Sequence, residues 1–398
     1  MKKHILPLLL LGIVFLFVAC DGAILSDVVN STESVSKKYQ NIIGIDGSKV
    51  YYQLSTGIYS NVSGGGSETQ IVANSEDHLV NGSALVTIDG AKYIMYSTSA
   101  SSEQQNGTLH FYSLDDFKNE TATIEQPETV TKRELTHLYS NGVVLVKDLD
   151  NSAITYRIYY GLSGYTNNGT ATFSKEYEIT ISSSTDTNTD LNRLYFQTAE
   201  QVPTKAILSL ATYSTATSGD DDYSWKQYLV DFSSTEKTIS NDITGDLSGY
   251  EIAGVTIADT SNIYAITTGG KLYKSSSGST FVSCEQSLGY SYTSDAFMYP
   301  VTGSSKNYLI TKSSTKNSVL IIYTFDKGTF SSSTVRYGYA RLISKDLINA
   351  AFEISTNNLL VATNESGMVS IIIPTDDPTG NSSGSSSDFE EYEFPEVL

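Results

Sequence analysis

Oxygen-bearing side chains alternate through Asp186-Thr-Asn188-Thr-Asp190-Leu-Asn192, a spacing that suits a hard cation such as calcium. The stretch departs from the calcium loop of helix–loop–helix proteins. Leu191 stands where glycine makes the sharp turn, and Gln197 holds the twelfth position in place of glutamate. Asp186, Asn188 and Asp190 are therefore weak calcium candidates, and a solvated turn before a strand over 193–196 is the plainer reading. Asp148-Leu-Asp150-Asn151 and Asp220-Asp221-Asp222 read as turn tips. Beyond residue 4 the histidines are His78, His110 and His137, and they make no H-E-x-x-H pair. No phosphate-binding or dinucleotide fingerprint occurs. The arginines, Arg133, Arg157, Arg193, Arg336 and Arg341, read as solvated surface groups. Carboxylates are plentiful enough for a glycosidase pair, but no spacing singles one out. Gly380-Asn-Ser382-Ser-Gly384 matches a nucleophile-elbow pattern inside a Ser/Gly tail, where no strand–turn–helix can form. No catalytic residue and no cofactor site is assigned.

Cysteine chemistry is more specific. Lys2 and Lys3 precede an apolar run from Ile5 to Phe17, and Val18-Ala19 lead into Cys20. A positive start, a short apolar run and a small residue before the cut describe a secretory signal. The run falls short of the ~20 residues that span a membrane. Phe17-Val18-Ala19-Cys20 resembles the lipobox of bacterial lipoproteins, with Phe17 where leucine is usual. The resemblance implies diacylglycerol transfer to the Cys20 thiol, cleavage before it, and acylation of the new amino group. Several chains, palmitate among them, would hold the protein on a bilayer of the bacterial cell envelope, periplasmic or on the outer-membrane surface. Cysteine suits this role because its thiolate is the attacking group. Cys284, in Phe281-Val282-Ser283-Cys284, is expected as a buried small hydrophobe.

The chain carries 25 basic and 44 acidic side chains, a net charge of -19. Nucleic-acid binding needs clustered Lys and Arg, so that class is excluded. A surface this negative is repelled by anionic lipid, so membrane attachment falls to the lipid alone. Tyrosine (28) outnumbers phenylalanine (14) and tryptophan (1), a composition of strands.

The elements that must hold any site are hairpins. An apolar strand, a Ser/Thr/Gly/Asn turn and a second strand recur seven times. The copies are 47–60, 91–96 with 107–112, 143–146 with 154–160, and 193–196 with 205–210. The rest are 261–278, 306–310 with 319–323, and 358–363 with 369–373. Spread over 35–375, the period is about 49 residues, which predicts an all-β propeller of about seven four-stranded blades. Leu272-Tyr273-Lys274-Ser275-Ser276-Ser277-Gly278-Ser279-Thr280-Phe281 resembles the Asp-box turn of sialidase-like propellers, with Ser276 at the Asp position and Phe281 for Trp. The stretch 263–273 is also similar to the PQQ-like propeller repeat. Both resemblances imply fold, not activity.

The expected organisation is a signal peptide over 1–19, a tether over 20–40, a propeller over 41–375 and a disordered acidic tail over 376–398. The expected function is a lipid-anchored, non-enzymatic binding or scaffold protein for a protein or glycan partner. The alternative is an envelope glycan hydrolase of sialidase-like propeller type.

Overall fold

The computed structural model describes residues 39–287 except 63–67, 151–152, 183–186, 197–202, 215–221 and 260–261, and then segments 298–302, 307–312, 319–326, 329–330, 335–338, 348–355, 358–363, 368–372 and 391–393. Contacts divide the chain into Met1–Lys37 and Lys38–Leu398, and every described residue belongs to the second unit. The expected signal peptide with Cys20 lies outside the described residues, as do Asp186 and most of the tail.

Seven antiparallel meanders follow one another among the described residues. Blade 1 is β1 (Tyr39–Asp46), β2 (Lys49–Leu54), β3 (Gly57–Val62) and β4 (Thr69–Ala73). Blade 2 is β5 (Val80–Ile88), β6 (Ala91–Thr98), β7 (Thr108–Ser113) and β8 (Asn119–Ile124), with helix α1 (Ser101–Asn106) between β6 and β7. Blade 3 is β9 (Lys132–Leu138), β10 (Val144–Asp150), β11 (Ala153–Tyr165) and β12 (Gly169–Ser182). Blade 4 is β13 (Thr187–Phe196), β14 (Lys205–Ser214) and β15 (Asp222–Asp231), extended by a bridge between Tyr228 and Asp242. Blade 5 is β16 (Ile252–Asp259), β17 (Asn262–Thr267), β18 (Lys271–Ser276) and β19 (Val282–Ser287). Blade 6 is β20 (Met298–Thr302), β21 (Asn307–Lys312) and β22 (Val319–Asp326), with β23 (Thr329–Phe330) and β24 (Val335–Gly338) both paired to β22. Blade 7 is β25 (Ile348–Ser355), β26 (Asn358–Thr363), β27 (Met368–Ile372) and β28 (Glu391–Glu393).

All seven expected hairpins are paired. Six are the middle strands of their blades, and the copy at 193–210 is the first two of blade 4. Three residues of the expected tail are described. Glu391–Glu393 pairs with Val369–Ile371 as the fourth strand of blade 7, because the open edge of β27 offers backbone groups that need partners.

The core lies between blades. Successive strand residues point to opposite faces, so each middle strand feeds two interfaces. Val50, Tyr52 and Leu54 of β2 pack with Leu360, Ala362 and Met368 of blade 7, whereas Tyr51 packs with Ile94 and Tyr96 of blade 2. Val144 and Val146 of β10 join the blade 2 side, and Leu145 joins blade 4. Ala206, Leu208 and Leu210 of β14 face blade 3, and Ile207 and Ala211 face blade 5. The shared core of blades 7 and 1 closes the ring, so the fold is an all-β propeller.

First strands crowd together at the ring's inner side. A Cβ on Gly82 in β5 would lie 2.7 Å from the Leu138 carbonyl oxygen, so only glycine fits. Outer edges are also tied. Fourth strands β8 and β12 pair in parallel through Gly169–Ala171, and Glu178 pairs in parallel with Thr238. The parallel pairing shows that blades 2 and 3 run in the same sense, and a propeller of like meanders repeats that sense around the ring. One face therefore carries each blade's entry and its second-to-third connection. The opposite face carries the first-to-second and third-to-fourth turns. These are the entry face and the turn face below.

Candidate functional site

Helix α1 fills the β6–β7 connection on the entry face. Gly107 ends it at φ 66°, a left-handed conformation that glycine adopts without a Cβ penalty. The helix carries Glu103 over the end of the hairpin. His110 Nε2 donates to Glu103 Oε2 at 2.9 Å, and the Thr98 hydroxyl donates to the same oxygen. His78, from the connection between blades 1 and 2, brings its Nε2 to 3.7 Å from Oε1. Two histidines thus meet at one carboxylate, a juxtaposition that residues 78, 103 and 110 do not announce by spacing. The His110 ring stacks on Tyr96 with centroids 4.7 Å apart, and the Tyr96 hydroxyl accepts from Asn119 Nδ2 at 2.7 Å. Burial pushes the Tyr96 hydroxyl up to about 12. Burial also raises Glu103, but hydrogen bonds from Thr98 and His110 and the charges of both histidines outweigh it, so the carboxyl sits below its ordinary range. The arrangement is a carboxylate–imidazole relay that fastens α1 to the blade. Among the described residues, no group of three or more His, Cys, Asp or Glu is arranged to hold a metal ion.

The second concentration of charge lies within blade 3. Arg133 Nε and Nη2 donate to Asp148 Oδ1 and Oδ2 at 2.7 and 2.9 Å. Its Nη1 donates to the Ile124 and Glu125 carbonyls at 2.9 and 3.1 Å. Arg157 Nε donates to Asp148 Oδ2 at 3.0 Å, and its Nη1 binds Glu176 and Glu178 on β12. Positive and negative groups alternate from β9 to β12, as cross-strand neighbours of opposite charge should. This corrects the expectation that Arg133 and Arg157 are solvated surface groups and that Asp148 sits at a turn tip. Arg133 and Asp148 are buried, whereas Asp150 ends β10 and pairs with Ala153 beside the turn. The cause is register: Arg133 stands opposite Asp148, so burying either charge requires the other.

Blades 3 and 4 are clasped at their first strands. His137 Nε2 bonds the Asn192 carbonyl at 3.0 Å, and the Tyr139 hydroxyl accepts from the Leu194 amide at 2.7 Å. Burial and the Arg193 charge lower the His137 imidazole, partly offset by its bond to Asn192. Asn188 and Asp190 lie in β13, Asn188 opposite Tyr213, with an irregular register between Asn188 and Leu191. Cys284 is half-buried in β19, and burial pushes its thiol up to about 11. The 272–281 stretch makes the β18–β19 turn, with Ser277 and Gly278 left-handed and Phe281 buried.

No protein-family model and no characterised protein matches the sequence. Solved structures are similar at low identity. The WD40 β-propeller domain of Doa1 matches at 10% identity over 85% of this chain and 93% of its own, with a TM-score of 0.41. YCF48 bound to D1 peptide matches at 10% over 84% and 93%, with a TM-score of 0.45. A chain of the mitotic checkpoint complex matches at 9% over 80% and 84%, with a TM-score of 0.41. The propeller assignment rests on this chain's own sheets and their order.

Proposed function

We propose that this chain is a non-enzymatic binding or scaffold propeller, held at a cell envelope by lipid on Cys20, with a protein partner. One observation carries the binding reading: among the described residues, the side chains best suited to chemistry are occupied with one another. Arg133 and Arg157 are paired with Asp148, Glu176 and Glu178 within blade 3. Glu103 is shared by Thr98, His110 and His78. Such groups fix the architecture of a display surface, and a propeller presents loops from every blade around that surface. The glycan-hydrolase alternative requires two free carboxylates beside an arginine. Blade 3 brings those residue types together but pairs them off.

The anchor rests on Phe17-Val18-Ala19-Cys20. Metabolic labelling with a fatty-acid analogue tests it: the wild-type chain takes up label, and Cys20→Ala does not. Equal labelling of both, or of neither, overturns the anchor. Reversible crosslinking of intact cells followed by purification tests the binding role. A repeated absence of any stoichiometric partner overturns it.

A further inference from the structure

Four described non-glycine residues have a positive φ: Asp89, Phe117, Asn168 and Ser277. All four lie in first-to-second or third-to-fourth turns, on the turn face. Aspartate, asparagine and serine are small and polar, and the first two often adopt this conformation. Phe117 is the exception. It sits at φ 59° in the β7–β8 turn, and it is 67% exposed, the most exposed large apolar residue described. A bulky side chain in a left-handed backbone is strained, and such strain persists only where the surroundings enforce it.

The surroundings here do enforce it. Ser113 Oγ accepts from the Asp115 and Asp116 amides at 3.3 Å each. The Phe117 amide donates to the Ser113 carbonyl at 3.2 Å, and the Ser113 amide donates to the Lys118 carbonyl at 2.9 Å. Lys118 Nζ pairs with Asp116 at 2.8 Å. The neighbouring turn of blade 3 braces the same hairpin. The Asn168 amide donates to the Thr121 carbonyl at 2.7 Å, and Tyr165 donates to Glu120 at 2.7 Å. The backbone that carries the exposed ring is held by these bonds, so little backbone ordering entropy remains to be lost on contact.

We infer that Phe117 is the anchor of a protein interface whose partner supplies an apolar pocket bordered by basic groups. The inference rests on the binding reading above. Rigid exposed aromatics set at the centre of an interface carry much of its energy. The flanking charge selects the partner: Asp115 and Asp116 precede Phe117 in the turn and are exposed, and Lys118 pairs with Asp116, which leaves the turn one acid in excess. The same acids on a chain of net charge -19 oppose insertion into an anionic bilayer.

The test places a benzoylphenylalanine photo-crosslinker at position 117 of the full chain in its native cells. Leu79, 46% exposed on the entry face, serves as the control position. The expected result is one discrete protein adduct at 117, joined to an apolar peptide flanked by Lys or Arg, and absent at 79. Asp115→Asn with Asp116→Asn lowers the adduct yield several-fold, as does raising the salt. Adducts at 79 but not 117 overturn the inference and leave the binding reading standing. Adducts at neither position overturn both. A lipid adduct at 117, or the same peptide at both positions, overturns the inference alone. A second measurement is independent of the partner. Phe117→Gly relieves the strain, so it melts no lower than wild type while losing the partner. A fall of several degrees makes Phe117 a structural residue and ends the proposal.

Discussion

Arg133 and Asp148 face each other across β9 and β10 as a two-pronged pair, with side chains 0% and 1% exposed. Two further arginine bonds reach the Ile124 and Glu125 carbonyls, where blade 2 ends. The pair therefore locks the register of blade 3 and its seam with blade 2. Removing one partner strands a buried charge. Asp148→Asn should cost roughly 3–5 kcal/mol, read as a lower denaturant midpoint with an unchanged slope. The double change Arg133→Met with Asp148→Leu should recover most of that loss, since a buried pair and an apolar pair of similar volume are close in stability. A double variant no better than Asp148→Asn would show that the carbonyl contacts matter more than the charge balance.

That pair also marks where sequence reading stops. The middle strands were legible because they are buried on both faces. Lys49–Leu54, Val143–Val146 and Asn358–Thr363 read as near-continuous apolar runs between turn residues. Fourth strands were not, because exposure breaks their pattern: Thr69–Ala73 and Asn119–Ile124 alternate weakly. The buried charges were missed because a charge reveals its partner only through register. A signal was present all the same. Val144, Val146 and Asp148 occupy alternate positions on one face of β10, so Asp148 continues an inward row. The first strands carried another cue. Ile42-Ile-Gly44, Val80-Asn-Gly82 and Ile252-Ala-Gly254 each place a small residue at a register shift, and Ile348-Asn-Ala350 does the same. The Glu103 cluster had no comparable cue, since its three members come from an interblade connection, a helix and a strand.

The glycine in the second of those repeats has a steric consequence. At Gly82 an added Cβ meets the Leu138 carbonyl oxygen at 2.7 Å and its amide nitrogen at 3.1 Å. Both are backbone atoms of β9, so neither can swing aside. Gly82→Val should destabilise by about 2 kcal/mol or more through overpacking. Gly164→Ala makes the control, since nothing lies within 4 Å of its Cβ position. It should change stability by no more than about 1 kcal/mol, in the favourable direction. Thermal melting of the two variants distinguishes them, and equal losses would place β5 and β9 farther apart than described.

Acid should act on this protein in two ranges. His137 is held below its ordinary 6.5 by burial and by Arg193. As pH falls through 6.5 the unfolded chain takes up a proton that the folded chain resists, so stability declines. The slope is at most one proton, about 1.4 kcal/mol per pH unit. His137→Gln should flatten the melting temperature between pH 7.5 and 5.5. Glu103 is held below its ordinary 4.5, despite burial, by its hydrogen bonds and the nearby histidines. Its contribution is complete above 4.5 and is lost as pH falls below that value. Glu103→Gln should flatten only this lower range. A His137→Gln profile parallel to wild type above pH 5.5 would remove His137 from the account.

The seam between blades 7 and 1 should open before the seams that join blades 2, 3 and 4. Blades 2, 3 and 4 are linked at their outer edges by backbone pairing, through β8 with β12 and through Glu178 with Thr238. Among the described residues no such ladder joins blade 7 to blade 1, and side chains alone hold them. Leu360, Ala362 and Met368 meet Ile42, Val50, Tyr52 and Leu54 there. Leu360→Ala leaves a cavity at a fully buried position and should cost 2–5 kcal/mol, an order-of-magnitude figure for such deletions. Val282→Ala, at a position 54% exposed, should stay within about 0.5 kcal/mol. Opening at the seam is local before it is global. Amide exchange in Leu360→Ala should therefore quicken in β1, β2 and β26 while β10, β11 and β14 keep their protection. Uniform quickening around the ring would mean that the blades open together and that the outer ladders confer no local hold.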